Sequence, residues 1–461
     1  MILCRSVTYL FLAAALCSCA PQPAAWEGRW GGYWGDGIYD SIALTNAADG
    51  AVEVSYWRDV DADDVETAPD IPFQVANLAQ PLLLQWDVQE YPGARIVARY
   101  VPQMDRLEVQ ISGPNLYGVN VMHRHGQALP PHPALEPRAG TQAHIFSLHA
   151  PWASEVYLAG EMNDWHADDL PMTKDNDGTW HLTLHLEPGR WQYKYVVDGR
   201  WQPDPLAPSA RAGLGDANSL LTLGSPDPRY DRDPAIAAGT VEEVVVQSRH
   251  VSEQRVLIYR PAGMHEKPLP WLLLLHGYGE DRHQWLDDGQ LPNLLDHLIS
   301  SGEMPPLAVV MPDGGTSFYQ GDTEKYLMEE LLPAAGGWGL SSDPRQRAIS
   351  GMSMGGFGAF YLSYRHPQAF TAALPLSGYF DFSRLPTLDV AQVGQGYHLE
   401  FWCGSQDSIS TATNQLLALR LAQTAQPPQF HYRDGGHTWR YWQTIMPEVL
   451  KRTAEQLYQV H

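Results

Sequence analysis

The C-terminal half of the chain contains the run Trp271-Leu272-Leu273-Leu274-Leu275, which no polar residue interrupts. A strand at the centre of a parallel sheet has this pattern, because helices cover both of its faces. Similar apolar runs alternate with stretches of helical character. The predicted strands include 241–246, 256–259, 307–311, 348–350, 373–376 and 399–402, and the predicted helices include 325–332 and 411–423. This alternation predicts a doubly wound α/β domain over residues 240–461.

A chain of 461 residues exceeds what one hydrophobic core holds, so further domains are expected before this sheet. Residues 24–126 are rich in β patterns: runs such as 52–56 and 107–111 alternate apolar and polar residues, the period of a half-buried strand. The opening segment 26–30 resembles the first strand of a small meander barrel of the lipocalin-like kind. A proline-rich linker over residues 127–138 then ends this domain.

Residues 139–224 form a second predicted β unit. Its segments EVYLAGEMNDW (155–165) and GRWQYKYVVDGRW (189–201) resemble the glycogen-binding module of AMP-activated kinase β-subunits. The resemblance implies an immunoglobulin-like sandwich, and a second linker follows over residues 225–239. It also implies four candidate carbohydrate contacts, which are Trp165, Lys194, Trp201 and Asn218. An indole offers a flat apolar face to a sugar ring, but the tryptophans could equally pack the sandwich or face the next domain.

The first 19 residues resemble a targeting segment. Arg5 precedes an apolar run over 7–16, which is short enough for a signal-peptide core and too short for a membrane span. The ending Leu16-Cys17-Ser18-Cys19 resembles a bacterial lipobox, which implies lipidation of Cys19 and attachment to the membrane. Ala20 in place of an aspartate implies sorting to the outer membrane. The alternative is plain secretion after cleavage nearby.

Composition excludes some classes of partner. A formal net charge of −23 argues against nucleic acid or an anionic membrane surface as a partner held by charge. Without the targeting segment only Cys403 and the lipidated Cys19 remain, so no internal disulfide is predicted. No group of cysteines and histidines has zinc spacing, and no metal site is predicted.

The segment Gly351-Met352-Ser353-Met354-Gly355 is a G-x-S-x-G sequence. A predicted strand precedes it and a predicted helix follows it, which is the context that a nucleophile elbow requires. The glycines are needed because side chains two residues either side of the serine would collide with the neighbouring strand and helix. The helix N-terminus would also favour a negative charge beside Ser353. Ser353 is therefore the candidate nucleophile.

A serine hydroxyl needs a base to take its proton and an acid to orient that base. In α/β-hydrolases the chain order is Ser, then Asp or Glu, then His. Asp407 follows the strand at 399–402, and His437 lies in a glycine-rich loop after the last predicted strand, so these two complete the candidate triad. The rival residues are Asp381, Asp389 and His431.

An oxyanion hole needs two backbone N–H donors. Met354, immediately after the nucleophile, is the first candidate, and Tyr278, in the loop after the strand at 271–275, is the second. Four aromatic residues are candidates either for a pocket wall or for the core: Trp285, Tyr319, Trp338 and Tyr379.

Together these segments resemble the esterase D-like family of α/β-hydrolases, which includes feruloyl, acetylxylan and siderophore esterases. The matching motifs are His276-Gly277-Tyr278-Gly279, 311–315, 329–333, 351–356 and 435–437. The resemblance implies two-step acyl transfer through Ser353 without a metal or organic cofactor. Because a module of glycogen-binding type precedes the catalytic domain, the expected substrates are acyl or feruloyl esters of polysaccharides. A siderophore trilactone esterase and a non-catalytic carbohydrate-binding lipoprotein remain as alternatives.

Overall fold

The computed structural model describes residues 24–33, 39–47, 51–58, 73–88, 94–113, 116–124, 132–210, 217–264, 268–380, 384–385 and 388–459. The predicted signal segment, with Cys19, lies outside the described residues, as do Asp381 and residues 127–131 of the first linker. Among the described residues, no helix is long and apolar enough to span a bilayer.

An antiparallel meander of eight strands forms the N-terminal domain. The strands are β1 (Gly28–Tyr33), β2 (Tyr39–Asn46), β3 (Ala51–Arg58), β4 (Phe73–Ala76), β5 (Leu83–Asp87), β6 (Arg95–Val101), β7 (Arg106–Gly113) and β8 (Leu116–Arg124). The first strand pairs with the last, so the order is β4-β3-β2-β1-β8-β7-β6-β5. The barrel is therefore nearly closed, with its opening between β4 and β5. Trp30, Leu107 and Val109 are among the apolar side chains that fill its interior.

Strand β7 differs from the expected half-buried strand. Its alternating pattern puts Leu107 and Val109 inside the barrel, but Glu108 and Gln110 on the opposite face are buried as well. Alternation predicts which residues share a face, whereas another domain packed on the outside decides whether the polar face reaches solvent. Here the polar face is covered.

The second domain is a sandwich of two small sheets. Its strands are β9 (Gln142–His149), β10 (Val156–Gly160), β11 (Thr173–Lys174), β12 (Thr179–Leu186), β13 (Arg190–Val197), β14 (Arg200–Gln202) and β15 (Ser219–Thr222). One sheet has the order β11-β12-β9, and the other has β10-β13-β14 with β15 on β13. Phe146, Leu158 and Tyr195 belong to the core between them. The short 3₁₀ helix Pro228–Tyr230 lies in the linker that follows.

The third domain is built on a mixed sheet of eight strands with helices on both faces. The strands are β16 (Thr240–Val246), β17 (Gln254–Arg260), β18 (Trp271–Leu275), β19 (Ala308–Pro312), β20 (Arg347–Met352), β21 (Ala372–Leu376), β22 (His398–Gly404) and β23 (Gln429–Arg433). The helices are α1 (Gln284–Asp287), α2 (Leu291–Ser300), α3 (Asp322–Lys325), α4 (Leu332–Ala334), α5 (Met354–Arg365), α6 (Thr411–Leu421) and α7 (Trp439–Tyr458).

The strand order in this sheet is β16-β17-β19-β18-β20-β21-β22-β23, and the pairs from β19 onward are parallel. Alternate residues of β18 enter two different cores: Leu273 and Leu275 pack on one face of the sheet, and Leu272 and Leu274 on the other. This explains the uninterrupted apolar run, because each face of a central strand needs its own apolar residues.

The segment predicted as one helix at 325–332 is irregular. After α3 the chain forms a π-helical stretch over Tyr326–Leu331, then α4, and then a 3₁₀ turn over Ala335–Trp338. Gly339 ends the turn with φ of 71°, a left-handed conformation that suits glycine. The glycines after Pro333 thus lie in the 3₁₀ turn that ends the helical segment.

Candidate active site

Ser353 lies in a sharp turn between β20 and α5. Its φ of 55° and ψ of −116° fall in a strained region for a residue with a side chain. Neighbouring glycines make the turn possible: a Cβ on Gly351 would lie 2.7 Å from the Gly355 backbone, and one on Gly355 would lie 2.4 Å from the Leu275 carbonyl oxygen. The strain exposes the serine hydroxyl above the carboxyl ends of the parallel strands.

The three residues proposed from the sequence as a triad lie in contact. Nε2 of His437 is 2.9 Å from Oγ of Ser353, and Nδ1 of His437 is 2.9 Å from Oδ2 of Asp407. They come from the segments that follow β20, β22 and β23, whose carboxyl ends meet at one edge of the sheet. Asp407 is fully buried, and the imidazole is largely buried. This geometry lets His437 take a proton from Ser353 while Asp407 orients the ring.

Asp407 is held as a carboxylate. The Ser410 hydroxyl donates to Oδ2 at 2.5 Å, and the backbone N–H groups of Ile409 and Ser410 donate to Oδ1 at 3.1 and 2.9 Å. Burial alone would raise the pKa of Asp407, but the charge of His437 and the hydrogen bonds from His437 and Ser410 outweigh it, so the pKa lies below its ordinary value. The ionised form is the one that stabilises a protonated imidazole.

Two of the rival candidates for the triad acid and base have other structural roles. The Asp389 side chain caps a 3₁₀ turn by accepting the N–H of Ala391 at 3.0 Å. His431 stacks on Trp402 with ring centroids 4.1 Å apart and binds the carboxylate of Glu400. The third rival, Asp381, lies outside the described residues.

The two backbone N–H groups proposed as oxyanion donors belong to segments that lie beside Ser353. Met354 begins α5, where the first N–H groups have no partner within the helix. On the other side, Gly277, Tyr278 and Gly279 line the cavity that contains Ser353. The side chain of Tyr278 is 58% exposed, so only its backbone is suited to this role.

His276 anchors the loop that carries Tyr278. Its Nε2 accepts the N–H of Gly314 at 2.8 Å, so this nitrogen is unprotonated and Nδ1 donates to the Gly277 carbonyl at 2.8 Å. Burial lowers the pKa of His276, which agrees with a neutral ring. The buried Tyr319 hydroxyl donates to the His276 carbonyl at 3.1 Å. These contacts hold the loop in one conformation.

A cavity of about 350 Å³ lies above Ser353 and His437, and two domains form its walls. The sandwich domain contributes Trp165, Lys194 and Asn218, three of the four residues proposed as carbohydrate contacts. The fourth, Trp201, is 44% exposed and does not belong to the lining, but its ring lies 6.4 Å from that of Trp165. The proposed sugar-binding face of the module is therefore turned toward the nucleophile.

The lining residues that were not proposed from the sequence include Glu161, Glu280, Trp439 and Trp442. Glu280 accepts the Trp439 indole N–H at 2.8 Å and the Gly277 N–H at 3.0 Å, and Glu161 accepts the Trp439 backbone N–H at 3.1 Å. Burial raises the pKa of Glu280 to about 8 and that of Glu161 to about 7. The position of Glu280 directly after the His276–Gly279 loop was the signal that could have identified it.

The four aromatic residues considered for the pocket wall lie in or against the core. Trp285, Tyr319 and Tyr379 are buried, and Trp338 packs partly buried against the apolar cluster that contains Tyr319 and Tyr379. Instead Trp442 lies edge-on to His437, with ring centroids 5.0 Å apart. Among the described residues, no group of acidic, histidine or cysteine side chains is arranged to hold a metal ion.

Comparison with protein families matches two parts of the chain. Residues 249–453 match the family described as putative esterase. The third domain is an esterase-family domain. Residues 149–229 match the glycogen recognition site of AMP-activated protein kinase, so a module of that kind precedes the esterase domain.

Curated relatives resemble one part of the chain each. An endo-1,4-beta-xylanase/feruloyl esterase of Xylanibacter ruminicola is 27% identical over 244 residues, which is 49% of this chain and 33% of that protein. The human AMP-activated protein kinase subunit beta-1 is 37% identical over 73 residues, which is 16% of this chain and 26% of the subunit. The chain thus spans less than two thirds of the length of these relatives.

A solved structure shares the fold over more of the chain. The enterochelin esterase of Shigella flexneri superposes with a TM-score of 0.57 at 20% identity, covering 70% of this chain and 95% of that structure. The chain therefore shares its fold with that structure over this part of its length.

Proposed function

We propose that the protein is a serine carboxylic ester hydrolase that acts on acyl or feruloyl esters of carbohydrates. The observation that carries the proposal is the hydrogen-bonded series Ser353–His437–Asp407 at the base of a cavity whose opposite wall is the glycogen-recognition module. The match to an esterase family and the likeness to a bacterial xylanase/feruloyl esterase support the reaction class.

The mechanism follows from the geometry. Ser353 Oγ attacks the ester carbonyl as His437 Nε2 takes its proton, and Asp407 stabilises the imidazolium. The N–H groups of Met354 and Tyr278 stabilise the oxyanion. His437 then protonates the leaving alcohol, which leaves the acyl group on Ser353. Water, deprotonated by His437, attacks this acyl-enzyme and releases the acid.

The module supplies the side of the cavity where the alcohol part of the ester would lie. Trp165 offers a flat apolar face for a sugar ring, while Lys194 and Asn218 carry groups that hydrogen-bond hydroxyls. Trp201 extends the aromatic surface outward from Trp165. A carbohydrate-linked ester uses all of these groups, whereas a simple alkyl ester uses none of them.

A siderophore trilactone is the second candidate substrate, favoured by the fold shared with an enterochelin esterase over 70% of the chain. The charge of the cavity favours the carbohydrate. Lys194 carries the one Lys or Arg side chain among the described residues of its lining, and such a lining is a poor complement to an anionic iron chelate.

The location proposed for the enzyme is the bacterial cell envelope, with the lipidated Cys19 as anchor in the outer membrane and plain secretion as the alternative. The support is the lipobox-like sequence that ends at Cys19. Labelling cells with a radioactive fatty acid would test it: the mature protein should carry label, and Cys19→Ala should abolish it.

Purified protein without the first 19 residues tests the reaction. We expect hydrolysis of p-nitrophenyl acetate, and a fall in kcat of about 10³-fold or more for Ser353→Ala. Ser301→Ala, at the end of α2 and outside the lining of the cavity, is the control and should match the wild type. Equal rates for wild type and Ser353→Ala would refute the catalytic proposal and leave a carbohydrate-binding lipoprotein.

A substrate panel tests the carbohydrate. Trp165→Ala should raise KM for a feruloylated arabinoside about tenfold, the equivalent of about 1.4 kcal/mol, and leave KM for p-nitrophenyl acetate within about twofold. Trp152→Ala is the matched control, because Trp152 is a 73% exposed indole of the same module that does not line the cavity. Preferred turnover of a trilactone, unaffected by Trp165→Ala, would favour the siderophore instead.

A further inference from the structure

The polar outer face of the N-terminal barrel is buried against the rest of the protein. On β6 and β7 the side chains of Arg99, Arg106 and Glu108 are 9%, 7% and 1% exposed. A barrel that served only as a spacer would turn such a face to solvent, because burying charges costs free energy unless they are paired and hydrogen-bonded. What these charges contact therefore indicates what the barrel does.

Glu108 bridges the two arginines. Its Oε2 accepts from Nε and Nη2 of Arg99 at 3.0 and 2.6 Å, and its Oε1 accepts from Nε and Nη2 of Arg106 at 3.0 and 2.6 Å. Each guanidinium thus donates two hydrogen bonds to one carboxylate oxygen, which fixes the orientation of its plane. The group carries two positive charges and one negative charge, so it retains donors and charge for other partners.

Those donors point at the loop that carries Asp407. Arg99 donates to the Ser405 carbonyl at 3.3 Å, and Arg106 donates to the Gln406 carbonyl at 3.4 Å. Both carbonyls belong to the two residues that immediately precede Asp407. Arg106 also pairs with Asp164 of the module at 3.4 Å, so three domains meet at this point.

The same two residues are tied to the histidine loop through their N–H groups. Ser405 N–H donates to the Arg433 carbonyl at 2.7 Å, and Gln406 N–H donates to the Gly435 carbonyl at 3.0 Å. The loop before Asp407 is therefore held on one side by the segment leading to His437 and on the other by the barrel. Release of either side would let Asp407 shift relative to the imidazole.

We propose that the N-terminal barrel is a positioning element of the catalytic centre, in which Arg99 and Arg106 hold the Ser405 and Gln406 carbonyls and so set the position of Asp407 against His437. The proposal rests on the proposed function. Docking alone does not account for the arrangement, since apolar residues of similar volume often serve as well or better than a buried ion group for stability. Arg99 and Arg106 are positioning residues and do not touch the substrate.

The variants Arg99→Lys, Arg106→Lys and the double variant of the full chain test the proposal. Lysine keeps the charge, but its single ammonium group cannot make the paired hydrogen bonds to Glu108 and also donate to the Ser405 or Gln406 carbonyl. We expect kcat for p-nitrophenyl acetate to fall about tenfold or more with KM within about twofold, since a shift of about 1 Å in a catalytic group can cost about 10² in rate. The single variants keep one guanidinium each and remain informative if the double variant does not fold.

Hydrogen exchange supplies a readout that is independent of activity. In the variants the amides of Ser405 and Gln406 should exchange about tenfold faster at an unchanged melting temperature. Arg95→Lys is the control, because Arg95 lies on β6 like Arg99 but pairs with Asp87 at the surface. It should change neither kcat nor the exchange rates of the Ser405 and Gln406 amides. A folded variant with wild-type kcat and wild-type amide exchange would overturn the proposal. So would a loss of kcat that is explained by a lowered melting temperature alone.

The two proposals fail separately. If the wild type hydrolyses no ester, the proposed function is wrong, and the exchange measurement still decides whether the barrel holds this loop. If the wild type is active but the lysine variants keep their kcat, the barrel has another role.

Discussion

The Asp407 carboxylate lies 2.9 Å from Nδ1 of His437 and also accepts the Ser410 hydroxyl and two backbone N–H groups. Every one of these partners donates to it. The site is therefore built for an ionised acid, in agreement with the lowered pKa of Asp407. An uncharged group of the same shape would leave two donors facing each other.

The first prediction concerns this acid. Asp407→Asn should lower kcat by about 10³-fold to 10⁴-fold, the size of effect known for the same change in a serine-protease triad, because the amide favours the wrong imidazole tautomer. Initial rates with p-nitrophenyl acetate, together with a melting curve, measure it. Asp389→Asn, which alters only the exposed cap of a 3₁₀ turn, is the control and should retain full activity. A loss limited to a few-fold would contradict the role given to Asp407.

The second prediction separates the backbone of Tyr278 from its side chain. Tyr278→Ala should change kcat less than about threefold, whereas Tyr278→Pro, which removes the N–H, should lower kcat about 10²-fold to 10³-fold. Both variants are compared at temperatures below their melting transitions. Similar activities for the two variants would show that the second oxyanion donor lies elsewhere.

The third prediction concerns the glycines of the elbow. A Cβ at position 355 would lie 2.4 Å from the Leu275 carbonyl oxygen, so Gly355→Ala must displace α5 from the sheet. We expect it to lower the free energy of unfolding by about 1–3 kcal/mol and kcat by at least about tenfold. Gly337→Ala meets nothing within 4 Å and should be neutral in both measurements. Wild-type behaviour of Gly355→Ala would contradict the close approach.

The fourth prediction concerns pH. The pKa of Glu280 rises from an ordinary value of 4.5 to about 8 because of burial, which outweighs the hydrogen bonds from Trp439 and Gly277. Between these values the folded protein keeps a proton that the unfolded chain has released. The stabilising contribution of Glu280 is thus complete below about pH 4.5 and is lost as the pH rises through about 8, at up to about 1.4 kcal/mol per pH unit.

Unfolding experiments from about pH 5 to about pH 8 measure this slope. In Glu280→Gln the free energy of unfolding should fall less steeply with pH, by the contribution of one titrating group, about 1.4 kcal/mol per pH unit. This holds whatever the effect of the substitution on stability at a single pH. Glu303→Gln is the control, since Glu303 lies at the surface beside Lys451 with a lowered pKa and is ionised throughout this range. An unchanged slope for Glu280→Gln would place the titrating group elsewhere.

Local patterns predicted much of the chemistry. The apolar run of β18, the glycines around Ser353 and the places of Asp407 and His437 after successive strands all follow from short-range rules about strands and turns. These rules hold because a parallel sheet brings the carboxyl ends of its strands to one edge, wherever the residues lie along the chain.

The sequence by itself thus determined the sheet, the elbow and the order of the three residues that meet there. Only the tertiary structure decided that the module turns Trp165 toward Ser353, that the outer face of β7 is buried, and that Arg99 and Arg106 reach the loop before Asp407. Contacts between domains join residues whose positions along the chain follow no repeating sequence pattern. Their pairing depends on the shape and charge of whole folded domains, which a pattern along one segment does not contain.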